Sequence, residues 1–222
     1  MKIVIVEDEL LTRDLIKKIC VCEFGHQVMA ETSTASEAVT LITKLIPDVV
    51  ILDLSLPGAD GFEVIRQVPA TLHTIQFLIL SAHCEEYTAY RIEKARVRGF
   101  IDKGTNVVDS IGKALRALEN RDVYFSSLFQ RTRATSIINQ SSFLKILSNQ
   151  EMIVLSLVGR GLDDEEIGGI LGITCRTVQT HRSNISHKLD LHDIKKLIIF
   201  SQQKGLASFP LYPARSMHLG YC

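Results

Sequence analysis

Residues 49–64 read VVILDLSLPGADGFEV, an apolar run that ends on a carboxylate, Asp53, and passes at once into a turn containing proline and glycine. Aspartate is depleted in strands, because its short polar side chain is costly to desolvate there. It fits better at the open end of a strand, where the carboxylate meets solvent or a ligand. An aspartate that merely caps a loop is the alternative, and the ends of the other predicted strands decide between the two.

The first 120 residues alternate short apolar runs with stretches of helical spacing. This pattern predicts a parallel sheet covered by helices on both faces. Right-handed crossovers would bring the carboxyl ends of all its strands to one edge, where such folds place their chemistry. We therefore predict an α/β doubly wound sheet of five parallel strands, at residues 2–7, 27–31, 48–53, 76–81 and 99–103.

Polar side chains occupy the carboxyl ends of four predicted strands. They are Glu7 and Asp8 on the first strand, Asp53 on the third, Ser81 on the fourth and Lys103 on the fifth. Three carboxylates in one crevice repel one another, so they need a cation or raised pKa values. Oxygen ligands of this kind suit Mg²⁺, and a lysine and a hydroxyl nearby complete a phosphate-binding site. The set therefore favours a reactive Asp53 over a loop cap.

Length and composition suit two small domains, since the chain has 222 residues of which 46% are hydrophobic. Residues 1–120 hold 13 Lys and Arg against 17 Asp and Glu, whereas residues 121–222 hold 12 against 8, which hints at an anionic partner for the second half. Five cysteines without paired spacing predict reduced thiols rather than disulfides or a zinc site. We see no signal peptide or membrane-length apolar run and expect a cytoplasmic protein.

Regular patterning fades over residues 121–146, where Ser, Thr and Asn are frequent. We interpret this segment as an interdomain linker that is helical in part. A second domain, small and all-α, is predicted over 147–206. No pattern in the tail, 207–222, indicates a role.

Capping signals predict the helices of the second domain. Ser148 with Glu151 forms a capping box before the first helix, and Asp163 with Glu166 forms another before the second. Gly172 makes a tight turn before a third helix, CRTVQTHRSNISHKL, whose outer face is polar and basic. Two helices joined in this way predict a helix-turn-helix. On periodicity alone, a small bundle with a solvated charged face is an equal alternative.

The order of motifs in each half resembles a known domain. VEDE, ILDLSLPGADG, LSA and GFIDKG, spread over residues 1–120, resemble the flavodoxin-like receiver domain of two-component response regulators. LSNQE, EEI and LGITxxTVQTHxxxIxxKL, within 147–206, resemble the LuxR-type DNA-binding domain. Together the halves resemble a response regulator of the NarL/FixJ class, which implies a regulator of transcription rather than an enzyme.

The receiver resemblance implies that Asp53 accepts a phosphoryl group from a sensor histidine kinase or a phosphotransfer protein. It also implies Mg²⁺ or Mn²⁺ as cofactor, held by Asp8, Asp53 and the backbone carbonyl of Ser55, with Glu7 acting largely through bound water. A dehalogenase-like phosphatase is the competing enzyme class. It would need a second acid two residues after its nucleophile, where this chain has Ser55.

The same resemblance implies a switch. Lys103 would pair with one phosphoryl oxygen and Ser81 would donate its hydroxyl to another, drawing the following loop inward. Phe100 would then rotate into the vacated space. Glu7 stands where the family commonly has Asp and Ser81 where it has Thr, and both keep the atoms that these roles need.

The LuxR-type resemblance implies double-stranded DNA as a partner, with the third helix in the major groove. The side chains expected to face base edges are Gln179, Thr180 and Ser183. Those expected to contact phosphates are Arg176, Thr177, Arg182 and Lys188. The fourth helix would support a homodimer through Ile194, Leu197 and Ile198.

Two features of the second predicted helix depart from the family pattern. Gly168 and Gly169 lie inside it, at a combined cost of roughly 1–2 kcal/mol relative to alanine. Asp164 and Glu165 stand where the family usually has polar or basic residues, and we expect their charge to favour the helix but to repel DNA.

Three functions remain open from the sequence. The first is a phosphorylation-switched transcription factor. The second is a DNA-binding regulator that works without phosphorylation and uses its receiver only as a dimer platform. The third, from a different class, is a stand-alone phosphoryl-transfer enzyme whose helical half binds another protein. The intact acidic pair, Asp53 and Lys103 disfavour the second, and the signature of the third helix disfavours the third.

Overall fold

The computed structural model describes residues 1–104, 106–138 and 142–208, without the side chains of 136–138. The chain forms two compact units. The first holds Met1–Cys84 and Ala89–Arg133, and the second holds Glu85–Thr88 and the chain from Ala134 onward. Most of the predicted tail, with Cys222, lies outside the described residues. None of the described helices is long and apolar enough to cross a membrane.

A six-stranded parallel sheet with flanking helices forms the first unit, and its strand order is β2-β1-β3-β6-β7-β8. A short antiparallel hairpin, β4–β5, follows β3. In chain order the elements are β1 (Lys2–Val6), α1 (Leu10–Lys18, continued by a π-helical turn, Ile19–Glu23), β2 (Gln27–Thr32), α2 (Ala35–Leu45), β3 (Val49–Leu52), β4 (Ser55–Leu56), β5 (Ala59–Asp60), α3 (Gly61–Gln67), β6 (Gln76–Ser81), α4 (Glu86–Lys94), β7 (Val97–Asp102), α5 (Val107–Glu119), β8 (Tyr124–Phe125) and α6 (Ser127–Ile138).

The five predicted strands are confirmed as β1, β2, β3, β6 and β7. The apolar runs of β1, β3 and β6 are buried because helices flank the sheet, and β3 is buried at every residue, whereas the edge strand β2 is mostly half-buried. The α/β fold class is therefore confirmed, and the number of strands is corrected from five to six. The sixth strand, β8, has only two residues and pairs with β7 at Gly99 and Phe100. A pair of residues carries no periodicity, so the sequence did not predict this strand.

The predicted linker is more ordered than its composition indicates. Strand β8 and helix α6 lie within residues 121–146, and the first unit extends to Arg133 rather than ending at 120. A short helix, α7 (Phe143–Ile146), follows, with Ser142 as its N-cap. Helical structure in this segment agrees with the expectation of a linker that is helical in part.

The second unit is helical, and a single apolar cluster forms its core. Both predicted capping boxes are present, at Ser148 with Glu151 and at Asp163 with Glu166. Gly172 ends the second of these helices in the left-handed conformation, with φ of 66°, and so makes the predicted turn. The main helices are α8 (Asn149–Gly159), α9 (Asp164–Leu171), α10 (Cys175–Leu189) and α11 (Ile194–Gln203), followed by a 3₁₀ turn (Leu206–Ser208).

Candidate functional site

The pairing of parallel strands brings the predicted polar residues of the first unit to one edge of the sheet. The backbone amide of Asp53 donates to the carbonyl of Val6 at 2.9 Å, which fixes the end of β3 beside the end of β1. The amide of Lys103 donates to the carbonyl of Ser81 at 2.9 Å, which fixes the end of β7 beside that of β6. The strand ends are therefore held together by backbone hydrogen bonds before any side chain interacts.

The ADG segment, residues 59–61, lies against this edge of the sheet. Asp60 caps α3 by accepting a hydrogen bond from the amide of Phe62 at 2.9 Å. The next residue is Gly61, where a β-carbon would lie only 2.3 Å from the carbonyl oxygen of Asp53. Only glycine allows α3 to begin so close to the strand end. The ADG turn that follows Asp53 in the sequence thus holds the backbone of Asp53 in position.

Lys103 joins two buried carboxylates. Its Nζ donates to Asp53 Oδ2 at 2.8 Å and lies 2.9 Å from both carboxylate oxygens of Glu7. The second oxygen of Asp53 accepts a hydrogen bond from the amide of Ser55 at 3.1 Å. The Glu7 side chain is 1% exposed and that of Asp53 6%, so solvent screens this charge cluster poorly.

The cluster shifts the pKa values of two of its members. Burial raises the pKa of Glu7 to about 7; the charge of Asp53 adds to this effect and the hydrogen bond from Lys103 opposes it. Burial alone would lower the pKa of Lys103, but its hydrogen bonds to Asp53 and Glu7 raise that pKa above its ordinary value. Lys103 therefore stays cationic, whereas Glu7 changes its charge near neutral pH.

Glu7, Asp8 and Asp53 fit a divalent cation. Each offers a carboxylate oxygen, and these oxygens lie within 4.8 Å of one another. Asp8 is exposed, whereas Glu7 and Asp53 are buried, so the group opens to solvent on one side. Hard oxygen ligands with room for water suit Mg²⁺. The three acids predicted from the sequence are thus brought together, with Lys103 beside two of them.

Ser81, at the end of β6, and Phe100, on β7, lie on neighbouring strands, and each contacts a residue outside the carboxylate cluster. The hydroxyl oxygen of Ser81 accepts a hydrogen bond from the amide of His83 at 3.1 Å, within the loop that follows β6. Phe100 is fully buried, and its ring centroid lies 5.2 Å from that of Phe129 in α6. The structure therefore places Phe100, a predicted switch residue, against α6, a helix of the predicted linker.

Phe125 and Phe129 are the residues of the first unit that sequence reasoning missed. Their rings stack with centroids 4.9 Å apart, and the amide of Ser126 donates to the carbonyl of Phe100 at 3.0 Å. Phe129 is only 2% exposed. Phe125 lies on β8 and Phe129 on α6, so helical spacing in the segment YFSSLFQ could not have indicated their contact.

The outer face of α10 carries the polar residues predicted for DNA contact. Val178 and Ile185 are buried in the helical core, and the opposite face is accessible. Thr174 caps the helix by accepting a hydrogen bond from the amide of Thr177 at 3.1 Å. The exposed members of the predicted set are Arg176, Thr177, Gln179, Thr180, Ser183 and Lys188, and Arg182 is half-buried.

Two of the predicted phosphate contacts are ion-paired with acids on other helices. Arg182 Nη1 donates to Asp164 Oδ1 at 2.8 Å, and Lys188 Nζ donates to Glu151 Oε2 at 2.8 Å. Burial opposes the ionisation of Glu151, but the hydrogen bonds from Lys188 and from Ser148 lower its pKa below the ordinary value. Within the described residues Arg176 forms no ion pair. Sequence reasoning missed both pairs because their members are 18 and 37 residues apart.

The residues expected to support dimers separate onto different sides of α11. Ile194 is exposed and Ile198 is half-buried. Leu197 is 2% exposed and packs in the core, so its expected place on an outer face is corrected. Ile199, which was not predicted, is 51% exposed. Spacing alone could not tell which apolar side of this helix meets the core.

Comparison with known proteins matches both units. Residues 3–115 match the response regulator receiver domain, and residues 145–201 match the luxR family of bacterial regulatory proteins. The response regulator protein VraR of Staphylococcus saprophyticus is 28% identical over 206 residues, which cover 93% of this chain and 98% of that protein. VraR of Staphylococcus aureus is 27% identical over the same coverage.

Solved structures agree with the fold. RcsB from Salmonella enterica serovar Typhimurium, bound to the promoter P1flhDC in the presence of phosphomimetic BeF3-, superposes with a TM-score of 0.63 at 20% identity. The match covers 91% of this chain and 98% of that chain. A LuxR-family response regulator from Aurantimonas has a TM-score of 0.58 at 25% identity, over 62% of this chain and 98% of that one.

Proposed function

The chain belongs to the response regulators that join a receiver domain to a LuxR-type DNA-binding domain, and on this premise we propose that phosphorylation of Asp53 controls its binding to DNA. Proteins that combine these two domains regulate transcription and are not enzymes in the ordinary sense. The phosphoryl donor would be the phosphohistidine of a sensor kinase or of a phosphotransfer protein. The phosphorylated form would bind double-stranded DNA as a homodimer.

The observation that carries the proposal is the sharing of Lys103 between Asp53 and Glu7. Its ammonium lies 2.8 Å from one carboxylate and 2.9 Å from the other. A structural ion pair needs one acid, whereas this lysine is surrounded by two, with a third acid, Asp8, nearby. Excess buried negative charge is unfavourable for folding alone, and it suits a site that takes up a cation and a phosphoryl group.

The chain's own groups account for the transfer. A carboxylate oxygen of Asp53 would attack the phosphorus of the donor, forming an acyl phosphate as the P–N bond to the donor imidazole breaks; the released imidazole nitrogen keeps the bonding pair and takes up a proton. Lys103 would move its hydrogen bond from Asp53 to a phosphoryl oxygen. Glu7, Asp8, Asp53 and the Ser55 carbonyl would hold Mg²⁺ or Mn²⁺, which when bound offsets charge on the transferring oxygens.

The second unit supports DNA as the partner. The outer face of α10 presents polar and basic side chains, and the helix begins directly after the Gly172 turn. Gln179, Thr180 and Ser183 would meet base edges, and the basic residues of α10 would meet phosphates. The RcsB neighbours include two dimers bound to two parallel DNAs, which makes a homodimer on DNA a reasonable expectation for this chain. Ile194 and Ile198 remain the proposed dimer contacts, joined by Ile199.

The test is DNA binding of wild type and Asp53→Asn, with and without acetyl phosphate and Mg²⁺. We expect the phosphodonor to tighten binding by the wild type and to leave the variant unchanged. Equal binding by a wild type that has incorporated phosphate would instead establish a regulator that works without phosphorylation. A wild type that takes up phosphate but binds no duplex would favour a phosphoryl-transfer protein whose helical unit binds another protein.

A further inference from the structure

The ion pair between Arg182 and Asp164 joins the centre of α10 to the first turn of α9. Its geometry is a single 2.8 Å hydrogen bond from Nη1 to Oδ1, and the Arg182 side chain is 36% exposed. The Asp164 side chain is 13% exposed, so the guanidinium is reachable from solvent while the carboxylate lies mostly covered. Since the outer face of α10 is the proposed DNA surface, a phosphate approaching it would meet Arg182 with its charge already matched by a carboxylate.

The cap of α9 does not depend on Asp164. The cap of this helix is Asp163, whose side chain accepts hydrogen bonds from the amides of Glu165 and Glu166 at 2.9 Å. Glu166 completes the box by accepting from the amide of Asp163 at 2.9 Å. Asp164 takes no part in these bonds, and its one recorded partner in the described chain is Arg182.

The other acid that pairs with α10 differs in this respect. Glu151 belongs to the capping box of α8 and is buried, while it also accepts a hydrogen bond from Lys188. Replacing Glu151 would remove a cap and a buried partner together, so its pair with Lys188 is part of the fold. The pair made by Asp164 involves no helix cap, which makes it a candidate for control of binding.

We propose that Asp164 withholds Arg182 from the DNA backbone and thereby sets the strength and the salt dependence of sequence-independent binding. The inference rests on the proposed function, because it assumes that the outer face of α10 meets DNA. A guanidinium whose charge is neutralised by a carboxylate releases no counterion from DNA, whereas an unneutralised one that meets a phosphate does. Asp164 is thus a determinant of how tightly the protein holds DNA of any sequence.

A simpler effect must be separated from this one. Any carboxylate near DNA repels phosphates, whether or not it holds an arginine. Glu165 provides the matched control, because it is the next residue in the same turn of α9 and is exposed. Glu165→Gln and Asp164→Asn remove the same charge from the same helix end, but only the second removes the partner of Arg182.

The experiment is a salt titration on a random-sequence duplex, followed by fluorescence anisotropy, with Asp164→Asn, Glu165→Gln, Arg182→Ala and the double variant Asp164→Asn with Arg182→Ala. We expect Asp164→Asn to bind several-fold more tightly at low salt. Its plot of log affinity against log salt should steepen by about 0.9, the value for one added phosphate contact. Glu165→Gln should keep the wild-type slope. Circular dichroism verifies that each variant remains folded.

The Arg182→Ala background decides the mechanism. If Asp164 acts through Arg182, Asp164→Asn changes neither the affinity nor the slope once the arginine is gone. An increase that survives in this background, or one that Glu165→Gln matches, would overturn the proposal in favour of simple repulsion. Weaker binding by Asp164→Asn would also overturn it, because the acid would then be positioning Arg182 for the phosphate. A wild type that has incorporated phosphate from acetyl phosphate and binds no duplex at any salt would overturn the proposed function itself.

Discussion

Two cations in this protein, Lys103 in the first unit and Arg182 in the second, are held by carboxylates in opposite ways. Lys103 contacts two acids whose side chains are 1% and 6% exposed, whereas Arg182, itself 36% exposed, contacts one acid that is 13% exposed. Removing one member of a buried cluster leaves charge that water cannot reach, at a cost of several kcal/mol. Breaking a pair whose cation is more than a third exposed costs less, because water and salt can reach the guanidinium and partly replace its partner. The more deeply buried group is therefore suited to a fixed reaction site, and the half-buried arginine to the exchange of its partner for a ligand.

The largest expected effect tests whether the buried group is a reaction site. Asp53→Asn keeps the shape of the side chain but removes the nucleophilic oxygen. Incubation with acetyl phosphate and Mg²⁺ should add one phosphoryl group to the wild type and none to the variant, as measured by intact-protein mass spectrometry. Labelling of the variant that is undiminished and resistant to acid would mean that another side chain is the acceptor.

The next effect concerns the role of Lys103 in that group. We expect Lys103→Ala to bind Mg²⁺ and to accept phosphate more slowly, but to lose the phosphorylation-dependent change in DNA binding, because the lysine would contact the phosphoryl group rather than the metal. Lys113→Ala is the control, since Lys113 forms an exposed pair with Asp109 on α5. Wild-type dimerisation and DNA affinity in phosphorylated Lys103→Ala would contradict this role.

The buried site was predictable because topology alone assembles it. Parallel strands with right-handed crossovers must bring their carboxyl ends to one edge, so Glu7, Asp53 and Lys103 could be placed together from the apolar runs that precede them. The sequence motifs around these three residues also resemble those of the receiver domain. What the sequence could not supply was the pKa of Glu7, which depends on how completely the helices and loops exclude water from its carboxylate.

The features that escaped prediction depend on side-chain packing between distant elements. Strand β8 is defined by its partner β7 and not by any periodicity of its own. The pair of Arg182 with Asp164 exists only because α9 and α10 meet at a particular place. From its spacing, Leu197 could lie on either side of an amphipathic helix, and only its packing in the core shows which side it occupies. Local patterns predict elements well, but they do not predict which surfaces of those elements meet.

A smaller effect tests the burial of Glu7 directly. Because the pKa of Glu7 is about 7 in the folded chain, against an ordinary value of 4.5, the folded state binds more protons than the unfolded state between these values. Stability from this group is therefore lost as pH rises through that window. In EDTA, Glu7→Gln should be more stable relative to wild type at pH 8 than at pH 5, by on the order of 2 kcal/mol.

The matched control is Glu63→Gln, for which the expected dependence of stability on pH has the opposite sign. Hydrogen bonds from Arg66 and Gln67 outweigh the effect of burial on Glu63 and lower its pKa. A depressed pKa contributes stability above the unfolded value, and this stability is lost as pH falls through the folded value. Glu63→Gln should accordingly lose more stability at pH 8 than at pH 3. Thermal unfolding across this pH range measures both variants, and equal behaviour of the two would contradict the buried environment of Glu7.

The smallest expected effect applies the contrast between buried and exposed positions to two adjacent glycines in α9. A β-carbon at Gly168 would lie 2.8 Å from the carbonyl oxygen of Ile173, which is backbone and cannot move cheaply, whereas one at Gly169 would meet nothing within 4 Å. Gly168 therefore allows the turn before α10 to approach the helix closely, and Gly169 has no such reason. Alanine at an open helix position is favoured over glycine by about 0.5–1 kcal/mol. Urea unfolding should show Gly169→Ala stabilised by about that amount and Gly168→Ala destabilised, because the close approach outweighs the gain in helix propensity. Equal stabilisation of the two variants would mean that the turn yields to an added methyl group, and the contact between α9 and the start of α10 would then not be rigid enough to fix the distance between Asp164 and Arg182.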